Sequence, residues 1–232
     1  MAEYDTIRSV GVGARAEIDE GLRAHMNKVY GLMSVAMVVT AGVAWAVGSS
    51  EQLFSLLRNP VTGQMTILGW IAMFLPLGMV FAFGALINRM SVGAAQLFFY
   101  AFAAAMGLSL AWIFQVFTGV SITSTFLITA IAFAGLSLYG YVTKRDLSAM
   151  GTFLMMGLIG LLVAMIVNIF LASSALAFAI SVIGVLIFAG LTAYDTQNIK
   201  NTYLQHAVHG DVEWLGKAAI MGALNLYMDF IN

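Results

Sequence analysis

The stretch Leu147–Tyr194, LSAMGTFLMMGLIGLLVAMIVNIFLASSALAFAISVIGVLIFAGLTAY, contains 48 residues without a single Asp, Glu, Lys or Arg. A helix that crosses a bilayer needs roughly 20 apolar residues, because each residue adds about 1.5 Å towards about 30 Å of hydrocarbon. The stretch is therefore long enough for two spans. Near its middle, the small and hydroxyl-bearing residues Ala172–Ser174 predict a tight turn between them.

Three further stretches of the chain carry no charge: Val29–Ser50, Asn59–Asn88 and Met90–Thr143. The last of these is long enough for two spans, with a turn at Thr118–Ser121. The pattern predicts six helices, at about 29–50, 66–88, 92–117, 122–142, 149–171 and 175–198. A seventh apolar stretch, Ala218–Asn232, is too short to span and stops while still apolar, so we expect a last helix truncated at its C-terminal end. We predict an all-α integral membrane protein with seven transmembrane helices.

The composition excludes several classes of function. Hydrophobic residues make up 61% of the chain and charged residues 9%, against about 25% charged in an average soluble domain, which excludes a soluble enzyme. The net charge of −1 provides no basic surface for a phosphate backbone, so nucleic acid is not expected as a partner. Without cysteine, the chain has no thiol nucleophile and no Cys-ligated metal. We expect no cofactor.

Small residues four positions apart indicate where the helices pack most closely. In lipid, helices gain little from hydrophobic burial against each other, so close approach of their backbones must supply the contacts. Ala103, Gly107 and Ala111 form such a stripe on the third predicted helix. We expect this stripe to face another helix.

The distribution of Lys and Arg predicts the orientation, because positively charged side chains resist translocation. With a cytoplasmic N-terminus, nine of the ten Lys and Arg residues fall on the inner side and Arg58 alone falls outside. We divide the chain into a cytosolic segment, residues 1–28, and a transmembrane domain, residues 29–232. In the first segment, Ile18, Leu22 and Met26 recur at helical spacing, which predicts a short amphipathic helix at the membrane surface.

Two acidic residues lie inside apolar stretches. An ionisable side chain inside a span costs about 2.5–3.5 kcal/mol on insertion scales, so it indicates function by default. Asp195 follows Tyr194 in the sixth predicted helix, and Asp229 lies in the seventh stretch, one turn after Asn225. If Lys217 marks the membrane boundary, the two aspartates differ in depth by roughly 10 Å, so the sequence leaves open whether they meet.

If the two carboxyl groups meet in a shielded site, they cannot both ionise freely and share a proton over part of the pH range. Their oxygens also suit a hard cation such as Ca²⁺. The alternative is that each aspartate caps a helix or bonds a neighbouring Tyr or Asn. Arg89, at the inner end of the second helix, either pairs with Asp195 or is an ordinary basic flank of its span.

Five segments, taken in order and spacing, resemble the bacterial branch of the Bax inhibitor-1 family. They are Leu22–Met33, Ser137–Tyr141, Phe153–Leu158, Ala193–Gln197 and Leu226–Asn232. The resemblance implies seven helices, with the last one central and wrapped by the other six. It also implies a pH-sensitive Ca²⁺ leak, with the family's paired aspartates at Asp195 and Asp229 and its arginine latch at Arg89.

From the residues and the resemblance together we predict a monomeric, non-enzymatic, pH-sensitive calcium leak channel or transporter of the bacterial inner membrane. Calcium binds transiently at Asp195 and Asp229, while Tyr194 and Asn225 support them. One alternative is an intramembrane aspartyl protease, for which Tyr194-Asp195 fits but Leu226–Asp229 does not match the expected Gly-x-Gly-Asp. Another is a non-transporting scaffold that modulates stress or cell-death responses.

A second group of possible metal ligands lies in the last loop. Its members are His206, His209, Asp211 and Glu213. Their spacing could serve a metal, but a solvated linker explains the same residues.

Overall fold

In a computed structural model the chain is helical and has no β-strand within the residues described, which are 2–207 and 211–232, with side chains from residue 17 onward. Charge-free stretches form the helices because, in lipid, a backbone must satisfy its own hydrogen bonds. Their bounds are α1 Ala2–Gly48, α2 Glu51–Leu57, α3 Ile67–Leu86, α4 Val92–Leu110, α5 Ile113–Val116, α6 Gly119–Val142, α7 Ser148–Leu171, α8 Ser174–His206 and α9 Val212–Ile231. A single 3₁₀ turn, Ile87–Arg89, follows α3.

Six of the described helices are long and apolar enough to cross a membrane, which confirms the predicted helical membrane protein. These segments are Glu17–Gly48, Ile67–Arg89, Val92–Val116, Gly119–Val142, Ser148–Leu171 and Ser174–His206. They correspond one to one with the six predicted helices. Helix α9 is not among them, so the seventh span and its central position stay predictions.

The polar ends of three helices differ from the predicted bounds. Helix α1 runs without a break through residue 28, so the predicted amphipathic helix is part of a longer one. Helix α8 continues to His206 instead of ending near 198, and α9 begins at Val212 instead of 218. A hydropathy pattern detects only the lipid-embedded part of a helix, and polar residues extend it beyond that part. The division of the chain at residue 28 stays a prediction.

The chain divides into two compact units, each with segments from α1, α6 and α9. The first unit contains residues 1–27, 127–210 and 225–232, and therefore α7, α8, most of α6 and the end of α9. The second contains residues 28–126 and 211–224, and therefore α2–α5, the second part of α1 and the starts of α6 and α9.

In α6 the polarity is reversed relative to a helix of a soluble protein. In α6 the buried residues are Ser137 and Gly140, whereas Ile128, Ile131 and Leu138 are 69%, 75% and 62% exposed. Bulky apolar side chains on the outside suit a helix surrounded by lipid, where small and hydroxyl-bearing residues mediate helix contacts. An apolar core also lies between α7 and α8 and consists of Leu154, Leu161, Ile187 and Leu191.

In the second unit, α4 packs against α1 through the predicted stripe of small residues. Ala103 and Ala111 are fully buried, and a Cβ on Gly107 would lie 2.7 Å from the carbonyl oxygen of Thr40. The hydroxyl of Thr40 donates a hydrogen bond to the carbonyl oxygen of Ala103 at 2.8 Å. The expectation that the stripe faces another helix is confirmed.

Candidate functional site

The structure brings Asp195 and Asp229 together. Asp195 lies in the second half of α8 and Asp229 near the end of α9, and their side chains are within hydrogen-bonding reach of each other. The predicted difference in depth rested on Lys217 as the membrane boundary. In the structure α9 begins five residues before Lys217, which lies inside the helix and pairs with Glu213 at 3.0 Å. The depth of each aspartate in a membrane stays a prediction.

The two carboxyl groups differ in their surroundings. Asp229 is only 9% exposed, and its neighbours Leu226 and Tyr227 are fully buried. Asp195 is half-buried. Among the described residues, none donates a hydrogen bond to the buried Oδ2 atom of Asp229. A carboxylate oxygen that is buried without a donor is costly.

Tyr194 and Asn225 are near the pair in sequence but make no hydrogen bond to either carboxyl group in the described part of the chain. The ring of Tyr194 lies directly against the backbone of Gly151 in α7, where a Cβ would collide with it. Asn225 is half-buried, one turn before Asp229 on the same helix. Their supporting roles stay predictions.

Arg89 closes the 3₁₀ turn Ile87–Arg89 in the second unit, and its side chain is exposed. Its role as a latch stays a prediction.

Gln197 fixes α8 to the loop between α6 and α7, two residues after Asp195. Its side chain is 6% exposed, and both ends of its amide are used. The Oε1 atom accepts a hydrogen bond from the backbone N–H of Leu147 at 2.9 Å, and Nε2 donates to the carbonyl oxygen of Arg145 at 2.7 Å. An uncharged residue carries no insertion penalty comparable to that of Asp, so the cost of burying charge does not single out Gln197. An amide inside a predicted span was the available signal.

Two further contacts join the same part of α8 to α6. The hydroxyl groups of Ser137 and Thr196 lie 2.9 Å apart, and both residues are buried. One turn on, the ammonium group of Lys200 donates to the carbonyl oxygen of Tyr141 at 2.6 Å and lies 5.5 Å from the centre of the Tyr141 ring. Together with Gln197, these contacts hold the segment that carries Asp195 in a fixed position.

Close backbone packing supports these hydrogen bonds. A Cβ on Gly140 of α6 would collide with the carbonyl oxygen of Ala193 in α8. The rings of Phe133 in α6 and Phe230 in α9, the residue after Asp229, meet edge to face at 5.5 Å. Helix α6 therefore contacts both helices that carry the aspartates.

Comparison with known proteins identifies the family. The family model described as inhibitor of apoptosis-promoting Bax1 matches residues 22–232. The chain belongs to the Bax inhibitor-1 family. Inner membrane protein YbhL of Escherichia coli is 45% identical over 212 residues, covering 91% of this chain and 88% of the relative. An uncharacterized protein of Rickettsia prowazekii is 44% identical over 214 residues, covering 92% and 87%.

Relatives in other bacterial groups are also similar along most of their length. A protein of Lactococcus lactis, YrjE, is 38% identical over 217 residues, covering 92% of this chain and 88% of the relative. The resemblance drawn from five short segments is therefore confirmed over nearly the whole chain, as a multi-pass membrane protein of this family.

The acidic pair consists of two carboxyl groups and no further acidic or histidine side chain among the described residues. Within the described residues, no group of three or more His, Asp or Glu side chains could hold a metal ion. Calcium takes six to eight oxygen ligands, whereas two carboxyl groups supply at most four. Transient binding of calcium at the pair stays a prediction. His209 of the second predicted group lies outside the described residues.

Proposed function

We propose that this member of the family is a pH-sensitive calcium leak channel of a bacterial inner membrane, gated by proton sharing between Asp195 and Asp229. One observation carries the proposal: two carboxyl groups from different helices lie together, and one buried oxygen has no hydrogen-bond donor among the described residues. The inner membrane is proposed from the name of the Escherichia coli relative. We also propose that the protein has seven spans, a central last helix and a cytoplasmic N-terminus.

The chemistry of gating follows from the charge of the pair. With one proton between them, the two carboxyl groups form a hydrogen bond that draws α8 and α9 together. With no proton, two negative charges repel each other and attract a divalent cation. A change in pH therefore alters both the contact between the helices and the affinity for Ca²⁺. Calcium then moves down its own gradient.

Gating requires that α8 keeps its position when the charge of the Asp195–Asp229 pair changes. Gln197 and Lys200 bond α8 to the end of α6 and the loop after it, so the position of Asp195 is fixed. We propose that α9, with Asp229, is the element that responds. Arg89 is kept as the proposed latch on the resemblance alone.

The full chain reconstituted in liposomes that contain a fluorescent Ca²⁺ indicator tests this function. Calcium flux is measured between pH 5.5 and 8 for the unchanged protein, for Asp195→Asn and for Asp229→Asn. We expect a flux that depends on pH in the unchanged protein and loses that dependence in both variants. Asp19→Asn is the matched control, because Asp19 is an exposed carboxyl group and its replacement should leave the profile unchanged.

Three outcomes would count against the proposal. A flux equal to that of empty liposomes would favour the scaffold. A flux whose pH profile survives both substitutions would remove the aspartates from gating. Cleavage of a co-reconstituted transmembrane peptide that stops in either variant would favour the protease.

A further inference from the structure

The connection between α1 and α3, residues 49–66, is an ordered structure, which we call the α1–α3 cap. Helix α2 begins with the hydroxyl of Ser50 accepting a hydrogen bond from the N–H of Leu53. After α2, the side-chain oxygen of Asn59 accepts hydrogen bonds from the N–H groups of Val61 and Thr62, at 2.9 and 3.1 Å. Gly63 completes this turn with a φ of +67°, a conformation that glycine adopts without strain.

The α1–α3 cap is fixed onto the first turn of α3. The backbone N–H of Thr66 donates to the carbonyl oxygen of Leu57 at 3.0 Å, and its hydroxyl donates to the carbonyl oxygen of Leu56 at 2.5 Å. Gly69 of α3 lies so close to the carbonyl of Leu57 that a Cβ would collide with it. Side chains on the cap therefore keep a defined position relative to the membrane helix that follows.

This fixed structure presents apolar side chains outward. Leu53 and Leu56 of α2 are 44% and 54% exposed, and Val61, at the tip of the turn, is 91% exposed. Single exposed apolar residues need no explanation, but a continuous surface does. Here the exposed apolar residues include Met65, at 42%, and Ile67 at the start of α3, at 81%, so five of them lie within 15 residues of the chain.

The occupant of this surface follows from its connections. Both α1 and α3 qualify as membrane spans, so a connection of 18 residues between Gly48 and Ile67 must lie at the membrane surface. Beyond the cap, exposed apolar side chains follow in the first turns of α3, at Leu68, Trp70 and Ile71. A single Glu and a single Arg balance each other in the cap, so it has no net charge for attraction to anionic groups.

We propose that the α1–α3 cap is an interfacial anchor, with Leu53, Leu56 and Val61 inserted into the boundary between lipid headgroups and acyl chains. Apolar faces of interfacial segments are typically buried roughly 5–10 Å into this boundary. Because the cap has no net charge, the insertion is apolar and does not depend on anionic lipid or on salt. The anchor sets how deep the outer turn of α3 lies in the bilayer.

The absence of cysteine from the chain allows each position to be labelled uniquely. Val61→Cys, Gln64→Cys and Ile67→Cys are labelled with an environment-sensitive fluorophore and placed in nanodiscs that hold one copy of the protein. Brominated lipids with bromine at two depths then quench the probe. All three side chains are exposed, so the substitutions leave the packing intact.

We expect lipid quenching at position 61 to reach at least about half of that at position 67, at a depth of roughly 5–10 Å below the phosphates. Position 64, a polar residue of the same turn, should show little quenching. The result at 61 should be the same in zwitterionic and anionic lipid and at high salt.

Quenching at 61 no greater than at 64 would overturn the proposal, because it would place the tip of the cap in water. A blue-shifted emission without lipid quenching would also overturn it, since the probe would then be covered by protein. Insertion that requires anionic lipid would contradict an uncharged anchor. A calcium flux experiment plays no part in this test, so its outcome is independent of the proposed function.

Discussion

Replacing Gln197 by Met tests whether the segment that carries Asp195 is held by the loop between α6 and α7. The change keeps the length of the side chain but removes both hydrogen bonds, at 2.9 Å to the N–H of Leu147 and at 2.7 Å to the carbonyl of Arg145. Gln197 is 6% exposed and Leu147 is also buried, so the freed N–H has little access to water. The substitution leaves two backbone groups without partners.

The expected loss follows from the cost of each unpaired group. A buried polar group that loses its partner costs about 1–3 kcal/mol. The N–H of Leu147 should incur the full penalty, whereas the carbonyl of Arg145 lies in a partly buried position and recovers some of it through water. We expect Gln197→Met to lower the free energy of unfolding by about 2–4 kcal/mol.

The assay is reversible unfolding in mixed micelles, with hydrogen exchange of the loop amides as a local measure. Asn198→Leu is the matched control, because Asn198 is the neighbouring amide in α8 and its side chain is exposed. That change should alter the free energy of unfolding by no more than about 0.5 kcal/mol. Exchange at the amide of Leu147 should accelerate in Gln197→Met alone. Equal stabilities of the two variants, or unchanged exchange at Leu147, would refute the reasoning.

Two further predictions concern α6 and α7. Gly140→Ala should destabilise the protein by about 1–3 kcal/mol in thermal unfolding, because the added Cβ collides with the carbonyl of Ala193. Gly135→Ala, where the added Cβ meets open space, should not destabilise it. Equal melting temperatures of the two variants would contradict this prediction. Hydrogen bonds from the side chain and the backbone N–H of Ser148 lower the pKa of Asp146 below 3.8. The ionised Asp146 carboxylate therefore stabilises the start of α7 fully above pH 3.8. This stabilisation is lost as the pH falls through the lowered pKa of Asp146. Amide exchange at Ser148 should accelerate as the pH falls through the lowered pKa of Asp146. An exchange rate at Ser148 that Asp146→Asn leaves unchanged at neutral pH would contradict this prediction.

The positions of the charged residues were enough to predict the spans, because the free-energy cost of placing a charge in hydrocarbon decides where a span can lie. A charged residue is expensive in hydrocarbon wherever it lies in the helix, so uncharged stretches of sufficient length become helices. The predicted 66–88 and the observed Ile67–Arg89 show how closely this cost sets the bounds. The same cost does not apply outside the hydrocarbon. The polar continuation of α8 from 199 to His206, and the short helix α2, were therefore missed.

The same cost identified both aspartates but could not establish their contact. Asp195 and Asp229 are separated by 33 residues, and the estimate of depth depended on where α9 begins. Helix α9 begins at Val212, so Lys217 lies inside it, paired to Glu213, and does not mark where the helix starts. Contact between side chains on different helices depends on the rotation and tilt of both helices, which the spacing of residues along one chain does not determine.

The face of each helix that turns inward could have been predicted by a different rule from the one used for soluble proteins. In α6 the apolar residues do not mark the buried face of the helix. Ile128, Ile131 and Leu138 face outward, whereas Ser137 and Gly140 are buried. Lipid is as apolar as these side chains, so apolarity gives no reason to turn them inward. A hydroxyl, an amide or a missing Cβ does give one, because it allows a hydrogen bond or a close backbone contact. In this chain the uncharged polar residues Ser137, Thr196 and Gln197 therefore mark the contacts that hold the segment of α8 with Asp195.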